Sequence, residues 1–449
     1  MPETDSVAPA PASDPRSRGL SRRRFLGLAG GTAAVGVIGA TLGPRAWEEL
    51  FAGSTPETAD TAPAGPLVLV TLYGGNDGLN TVIPYQDPAY ESARGPLALD
   101  ASTVLPLSEG FGLHPSMPGF KKLWDQKKLA VIQGVGFADP NYSHFESMDI
   151  WQSAVPSGSV STGWIGRWLD ATAGGPLRAV GVGPTTPMAL TGEKVQGVTI
   201  PAGKLVLPGK LAERGLYAEM AGSTAGEAFL LAQAAQSNGY LLQVDKTLGP
   251  ILDRSASANP LHLNGSPGSS AATASAQQSL AIANGGGGVA GSEVLATQLS
   301  MVANLILGGA ASQVYSVELG GFDTHTDQTP TQQLLLGELD QAVSAFVDTV
   351  SSDPRGKGAV VLVYTEFGRR VGGNASAGSD HGWANVAFAA GPSVHGGWYG
   401  EPPSLTKLSE DNTIYTTDFR SVYATVLDRV IGVDPQSFLD GPFPTMNFV

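Results

Sequence analysis

Two short runs of this chain are apolar at nearly every position, Leu67–Leu72 and Val314–Leu319, and a third at residues 360–363 is wholly apolar. Runs of that length without an alternating polar face read as strands covered on both sides, the pattern of a parallel sheet between helical layers. The first strand is expected over 66–73, the later two over 312–319 and 359–365. Further strand candidates are 129–135, Ala179–Val182 and Asn385–Ala390. Between them the period changes to that of a helix. Residues 332–350 put Leu335, Leu339, Val343 and Phe346 on one stripe, and 141–152, 222–236, 293–307 and 417–430 also read as helices. Thr417 or Asp418 would cap the last of these. Strands alternating with helices predict an α/β fold: a doubly wound, mostly parallel sheet with helices on both faces. No internal repeat is present.

At 449 residues the chain is long enough for one large domain or two smaller ones. Its 59 glycines and 32 prolines point to many loops. Residues 44–65 are Pro/Ala/Thr-rich and read as a linker. Residues 66–449 then form a single domain, with a flexible Ser/Ala/Gly/Asn-rich insertion at 255–291. A net charge of −14 argues against nucleic acid as a partner. Cysteine is absent, which removes disulfides, thiolate ligands and a Cys nucleophile. Any metal must be held by oxygen and imidazole.

Near the start, Ser21-Arg22-Arg23-Arg24-Phe25-Leu26 precedes a weakly apolar Gly/Ala-rich stretch ending at Gly43. This resembles a twin-arginine signal peptide over 1–43. It predicts passage through the twin-arginine translocon and an exported location: extracellular, periplasmic or cell-envelope. The leader is either cleaved or kept as an anchor. No later apolar run is long enough to span a bilayer.

The candidate chemistry lies where strands end, which in open α/β sheets is where ligands bind. Asp77 sits in Gly74-Gly75-Asn76-Asp77-Gly78 after the first strand, either in an Asx-type turn or as a metal ligand. Asp323 and His325 follow 312–319, as a capping turn or as two ligands on one side of a bend. Glu366 ends 359–365 as a metal ligand or as the partner of Arg369; Arg369 and Arg370 could grip an anionic substrate between them. Asp380-His381-Gly382 can serve one metal if the backbone bends at Gly382, and otherwise reads as a surface loop. Ser143 precedes a helix, where it is either an N-cap or a nucleophile beside a metal. His144 would then be a ligand, a base or a substrate contact. His114 and His262 carry weaker signals, and His395 is a possible late ligand.

Taken together, Gly-Gly-Asn-Asp-Gly, Tyr-Ser-His-Phe, Gly-Phe-Asp-Thr-His, Glu-Phe-Gly-Arg-Arg, Asp-His-Gly and Gly-Gly-Trp-Tyr-Gly resemble the bacterial domain of unknown function 1501 family. That family is distantly similar to the alkaline phosphatase and sulfatase superfamily. The resemblance implies an alkaline phosphatase-like fold with metals at strand ends. It implies Asp77, Asp380, His381 and the nucleophile Ser143 around one ion, and Asp323, His325 and a third histidine around another, with Glu366 as a possible substitute. One or two divalent ions are expected, zinc, manganese or calcium. No cysteine is present for conversion to formylglycine and Ser143 lacks the sulfatase context, so phosphate esters are favoured over sulfate esters. The reading is an exported metal-dependent hydrolase of small anionic esters. The alternative is a non-catalytic cell-envelope binding protein that retains the fold.

Overall fold

The computed structural model describes residues 65–157, 160–202, 221, 229–255, 261 and 294–449. The leader expected over 1–43, the linker over 44–65 apart from Gly65, the first part of the helix at 222–236, His262 and nearly all of the insertion at 255–291 lie outside the described residues.

The apolar run Leu67–Leu72 is strand β1, buried at every position. It pairs in parallel with β8 (Val314–Leu319) on one side and β9 (Val360–Thr365) on the other, so Leu67 faces both Val314 and Val360. Beyond β8 lie β6 (Ala179–Val182) and β7 (Val198–Ile200), both parallel. Beyond β9 come β10 (Asn385–Ala390), β5 (Leu129–Gly136) and β11 (Gly397–Tyr399), and the short β14 (Thr417–Asp418) also joins β5. Only β10 runs against its neighbours in this sheet. Two small sheets lie off this one, β2 (Val82–Ile83) with β3 (Leu105–Pro106) and β4 (Gly112–Leu113), and β12 (Leu408–Ser409) with β13 (Asn412–Thr413).

The helices are α1 (Gly78–Thr81), α2 (Pro88–Arg94), α3 (Pro118–Asp125), α4 (His144–Ser153), α5 (Trp164–Ala171), α6 (Phe229–Ser255), α7 (Val294–Leu307), α8 (Gln328–Ser351) and α9 (Phe419–Val426). Alternate strand residues face opposite ways, and each face has its own core. Val68, Val70 and Leu72 pack with Phe120 of α3, Leu299 of α7 and the Leu339/Val343/Phe346 stripe of α8. Leu67, Leu69 and Tyr364 pack with Trp151 of α4, Trp164 of α5 and Tyr423 of α9. The doubly wound, mostly parallel sheet expected from the sequence is therefore the one observed. Among the described residues no helix is long and apolar enough to cross a membrane.

Several helix ends differ from expectation: the helix at 141–152 starts only at His144, and the one at 222–236 runs on to Ser255. The helix expected over 417–430 begins only at Phe419, because Thr417 and Asp418 first pair with Val135 and Gly136; Asp418 then caps it by accepting from the Arg420 amide. The helix expected from 332 starts at Gln328. Because β10 is reversed, its first residue enters the sheet at the edge where β1, β8 and β9 end. That edge carries the site.

Candidate metal centre

Three loops meet at this edge, and glycine lets them touch. Gly74, after β1, has a φ of +113°, and a Cβ there would stand 2.4 Å from the Asp323 amide nitrogen. The loop after β8 is tied to β1 by a hydrogen bond from the Phe322 amide to the Tyr73 carbonyl. The chain leaving β9 doubles back on itself: Arg369 bridges His381, and the Arg370 amide donates to the Asp380 carbonyl. Gly382 is needed for this close pass, since a Cβ would lie 2.4 Å from the Arg369 carbonyl carbon. His144 is the first residue of α4, which Ser143 caps by accepting from the Glu146 amide at 3.4 Å.

These segments bring three imidazoles onto one carboxylate oxygen. Nε2 of His325, His381 and His144 lies 3.0, 3.1 and 3.4 Å from Asp323 Oδ1. His325 Nε2 and His381 Nε2 are 2.9 Å apart. His144, Asp323 and His381 offer ligand atoms that all fall within 4.8 Å of one another. Metal–nitrogen bonds of about 2.0–2.1 Å in a tetrahedral shell separate neighbouring ligand atoms by roughly 3.3 Å, so the spacing suits a divalent ion.

The outward nitrogens explain why the inward ones converge. His144 Nδ1 donates to Glu366 Oε1 at 2.8 Å, His381 Nδ1 to the Tyr142 carbonyl at 2.8 Å, and His325 Nδ1 to Asp380 Oδ1 at 3.2 Å. Each bond holds the proton on Nδ1 and turns the Nε2 lone pair inward, the usual arrangement behind metal-bound histidines. His144 Nε2 is buried and makes no hydrogen bond. The Phe367 ring packs on both His144 and His381, with centroids 4.9 and 4.7 Å away. Lone pairs aimed at a carboxylate oxygen call for a cation among them, either protons or a metal. Burial disfavours the His144 cation, but the neighbouring Asp323 and Glu366 carboxylates outweigh it and raise the group to about 9. For Asp323, burial opposes ionisation, yet the nearby His144 and the hydrogen bonds from His381 and Arg369 hold the carboxyl far below its ordinary range. The donor set fits a divalent metal.

Several expected ligands stand elsewhere. Asp77 is buried and its carboxylate is already fully engaged. Oδ1 caps α1 by accepting from the Leu79 and Asn80 amides, and Oδ2 accepts from Gln328 Nε2 and pairs with the buried Arg94. This is the turn reading, with both carboxylate oxygens committed inside the fold. Glu366 is a buried outer partner: Oε1 takes His144 Nδ1 and the Gly74 amide, and Oε2 takes the Thr365 hydroxyl. Asp380 is exposed, stands behind His325 and is held low chiefly by the Asn374 side-chain hydrogen bond. His144, expected as a catalytic group, sits among the ligand atoms and supplies the third histidine. His395 bonds the Asn447 carbonyl instead. Ser143 is exposed, with its hydroxyl used as the cap.

Arg369 does not meet solvent. Its side chain is fully buried and donates to the carbonyls of Gly74, Gly75, Phe322 and Ser379 and to Asp323 Oδ1. With all three nitrogens engaged and no exposed surface it is out of a substrate's reach, and it acts as a clamp that fixes Asp323. The roles of Tyr142, Phe367, Arg94 and Gln328 had no signal in the sequence, because a backbone carbonyl and a ring face carry no motif.

Fold and site together describe an α/β protein with a candidate His/Asp cation site at the carboxyl edge of its sheet. The profile of the family described as "Protein of unknown function (DUF1501)" matches residues 270–443, a span that holds Asp323, His325, His381, Glu366 and Arg369. The resemblance seen in the motifs is thus borne out over that part of the chain. No curated protein matches. Similar solved structures include a protein in the alkaline phosphatase superfamily from Vibrio parahaemolyticus, 11% identical with a TM-score of 0.39, covering 86% of this chain and 72% of that one. Others are the PsFucS1 sulfatase from Pseudoalteromonas sp., at 10% identity, TM-score 0.36 and 85% and 71% coverage, and phosphonoacetate hydrolase from Sinorhizobium meliloti 1021, at 12% identity, TM-score 0.28 and 69% and 57% coverage.

Proposed function

We propose that this chain is a metal-dependent hydrolase of small anionic esters, phosphate in preference to sulfate. It uses one divalent ion held by His144, Asp323 and His381, with His325 at the rim. The observation that carries this reading is the convergence of three Nε2 atoms on Asp323 Oδ1 while every Nδ1 is held from behind. Imidazole and carboxylate donors favour zinc or manganese over calcium, which prefers an all-oxygen shell. The ion would supply Lewis-acid polarisation of an ester oxygen and make a nucleophile available at neutral pH.

The chain's own groups prepare that chemistry. Glu366 keeps the His144 proton on Nδ1, Arg369 fixes Asp323 in place, and Phe367 shields the two inner imidazoles from water. Ser143 stands at the N-terminus of α4 beside His144, where unpaired backbone amides favour an anion. It is the hydroxyl proposed as nucleophile. Export through the twin-arginine translocon, directed by residues 21–26, belongs to the same proposal.

A second reading has one observation behind it. His325 makes a fourth protein donor, and a closed four-ligand shell is the mark of a structural ion. That reading is an exported cell-envelope binding protein with a metal in its fold. Metal content by inductively coupled plasma mass spectrometry, followed by turnover of aryl phosphate mono- and diesters and an aryl sulfate, separates the two. About one ion per chain with phosphate ester turnover that is lost in His381→Ala supports the hydrolase. A tightly held ion with no turnover of any ester supports the second reading, and the absence of metal removes both. Turnover retained in Ser143→Ala would remove Ser143 as nucleophile.

A further inference from the structure

Arg370 is the exception among the arginines whose side chains are described. Arg94 and Arg369 spread their donors over carbonyls and a carboxylate. Arg167 and Arg178 hold backbone carbonyls, and Arg355, Arg420 and Arg429 each pair with an aspartate beside them in sequence. Arg370 makes no side-chain hydrogen bond or ion pair within the described residues, and its Nε is buried without a partner. Arg370 as a whole is half-buried, and an Nε–H shut off from water without an acceptor is unfavourable. Its guanidinium lies over the face of Tyr142, 5.8 Å from the ring centroid, and close enough to Asp380 for its charge to help hold that carboxyl low, without forming an ion pair with it.

That contact ties Arg370 to the centre. The Tyr142 carbonyl is the group that holds His381 Nδ1, and the Tyr142 hydroxyl accepts from Asn412. The Arg370 backbone is fixed at both ends, its amide on the Asp380 carbonyl and its own carbonyl under Arg94. Arg369 and Arg370 leave opposite sides of the ribbon that pairs with residues 380–383. The first is consumed inside, and the second stands beside the His381 support with no hydrogen-bond acceptor among the described residues.

We propose that Arg370 holds the anionic group of the substrate, a tetrahedral oxyanion, beside the metal centre. The proposal rests on the hydrolase reading for the identity of the site. A guanidinium presents two parallel N–H donors to such an anion, which an ammonium cannot. A residue in this role sets affinity for the anion and leaves metal binding unchanged.

Inorganic phosphate and inorganic sulfate are titrated by calorimetry into wild type, Arg370→Gln and Arg370→Lys, each with and without one equivalent of zinc, and metal content is read on the same samples. The expected result is a loss of about tenfold or more in phosphate affinity for Arg370→Gln, the scale of a charge-assisted pair, at unchanged zinc content. Arg370→Lys should recover only part of the loss. Sulfate, a full dianion at neutral pH, should bind through the same guanidinium and lose affinity in step in Arg370→Gln; sulfate binding indifferent to that change counts against the proposal. Equal phosphate affinity in wild type and Arg370→Gln, or no phosphate binding by wild type, overturns the proposal and leaves the metal reading intact. Failure to hold zinc removes the hydrolase reading; phosphate binding to the zinc-free chain that is lost in Arg370→Gln would still support the anion site.

Discussion

Replacing Arg369 by methionine tests whether this residue is a clamp or a substrate contact. The change keeps a long side chain in the fully buried slot and removes the charge and every donor. Nε lies 2.6 Å from the Gly75 carbonyl, Nη1 2.8 Å from that of Ser379, and Nη2 2.9 Å from both the Phe322 carbonyl and Asp323 Oδ1, with the Gly74 carbonyl also in contact. Each buried acceptor left without a partner costs about 1–3 kcal/mol. These bonds share one side chain and do not add, so the loss should match that of breaking a buried ion pair, about 3–5 kcal/mol. Against a total stability of roughly 5–15 kcal/mol, that is a large fraction. Urea denaturation followed by tryptophan fluorescence, with chelator present so that metal does not contribute, measures it. Arg369→Lys should lose most of the same stability, since one ammonium cannot reach three loops. A methionine variant within about 1 kcal/mol of wild type, a margin typical of an uncommitted surface residue, would refute the clamp.

Other predictions follow from the same geometry. Glu366→Gln should weaken zinc affinity by about 10–100-fold in a competition titration, the usual effect of losing a histidine's outer partner; complete loss of binding would make Glu366 a ligand after all. Excess chelator should lower the melting temperature of wild type and leave that of His381→Ala unchanged, because only a chain that binds metal gains stability from it. Gly382→Ala should destabilise the fold and weaken zinc binding together, since the new methyl meets the Arg369 backbone; an unaffected denaturation midpoint would contradict the close approach. Burial raises the Asp340 carboxyl from 3.8 to about 6, although the Phe120 and Gly119 amides pull the other way. A folded value above the unfolded one means its contribution is complete at low pH and is lost as pH rises through about 6. Stability should therefore fall less between pH 4 and 7 in Asp340→Asn than in wild type, and parallel curves would sink the argument.

The sequence made the location of the site legible and its inner composition only partly so. Largely apolar runs identify β1, β8 and β9 because both faces are covered, and their ends locate Asp323 and Glu366. The same runs say nothing about direction: Asn385–Ala390 is as apolar as its neighbours, yet it is reversed. Residue type cannot separate a ligand from the carboxylate behind a ligand, since Glu366 and Asp380 differ from Asp323 only in which side of an imidazole they reach. Asp77 looked available because its neutralising partners, Arg94 and Gln328, are brought in by the fold. For Arg369 and Arg370, adjacent and chemically identical, the pairing of Arg369 with His381 decides which one turns inward.

The reversal of β10 also bears on how the centre assembles. Because β9 leaves the sheet and β10 enters it at one edge, the connection between them never crosses a face. Glu366, Arg369, Asp380 and His381 arrive in a single antiparallel hairpin, whose closure needs only a short loop. Asp323 arrives with β8 and His144 with the segment after β5, and each requires contacts distant in sequence, the slower kind to form. The outer supports can thus be in place before the last inward donors arrive, and a chain that has failed to dock β5 would hold a half-built centre with no His144 to complete it.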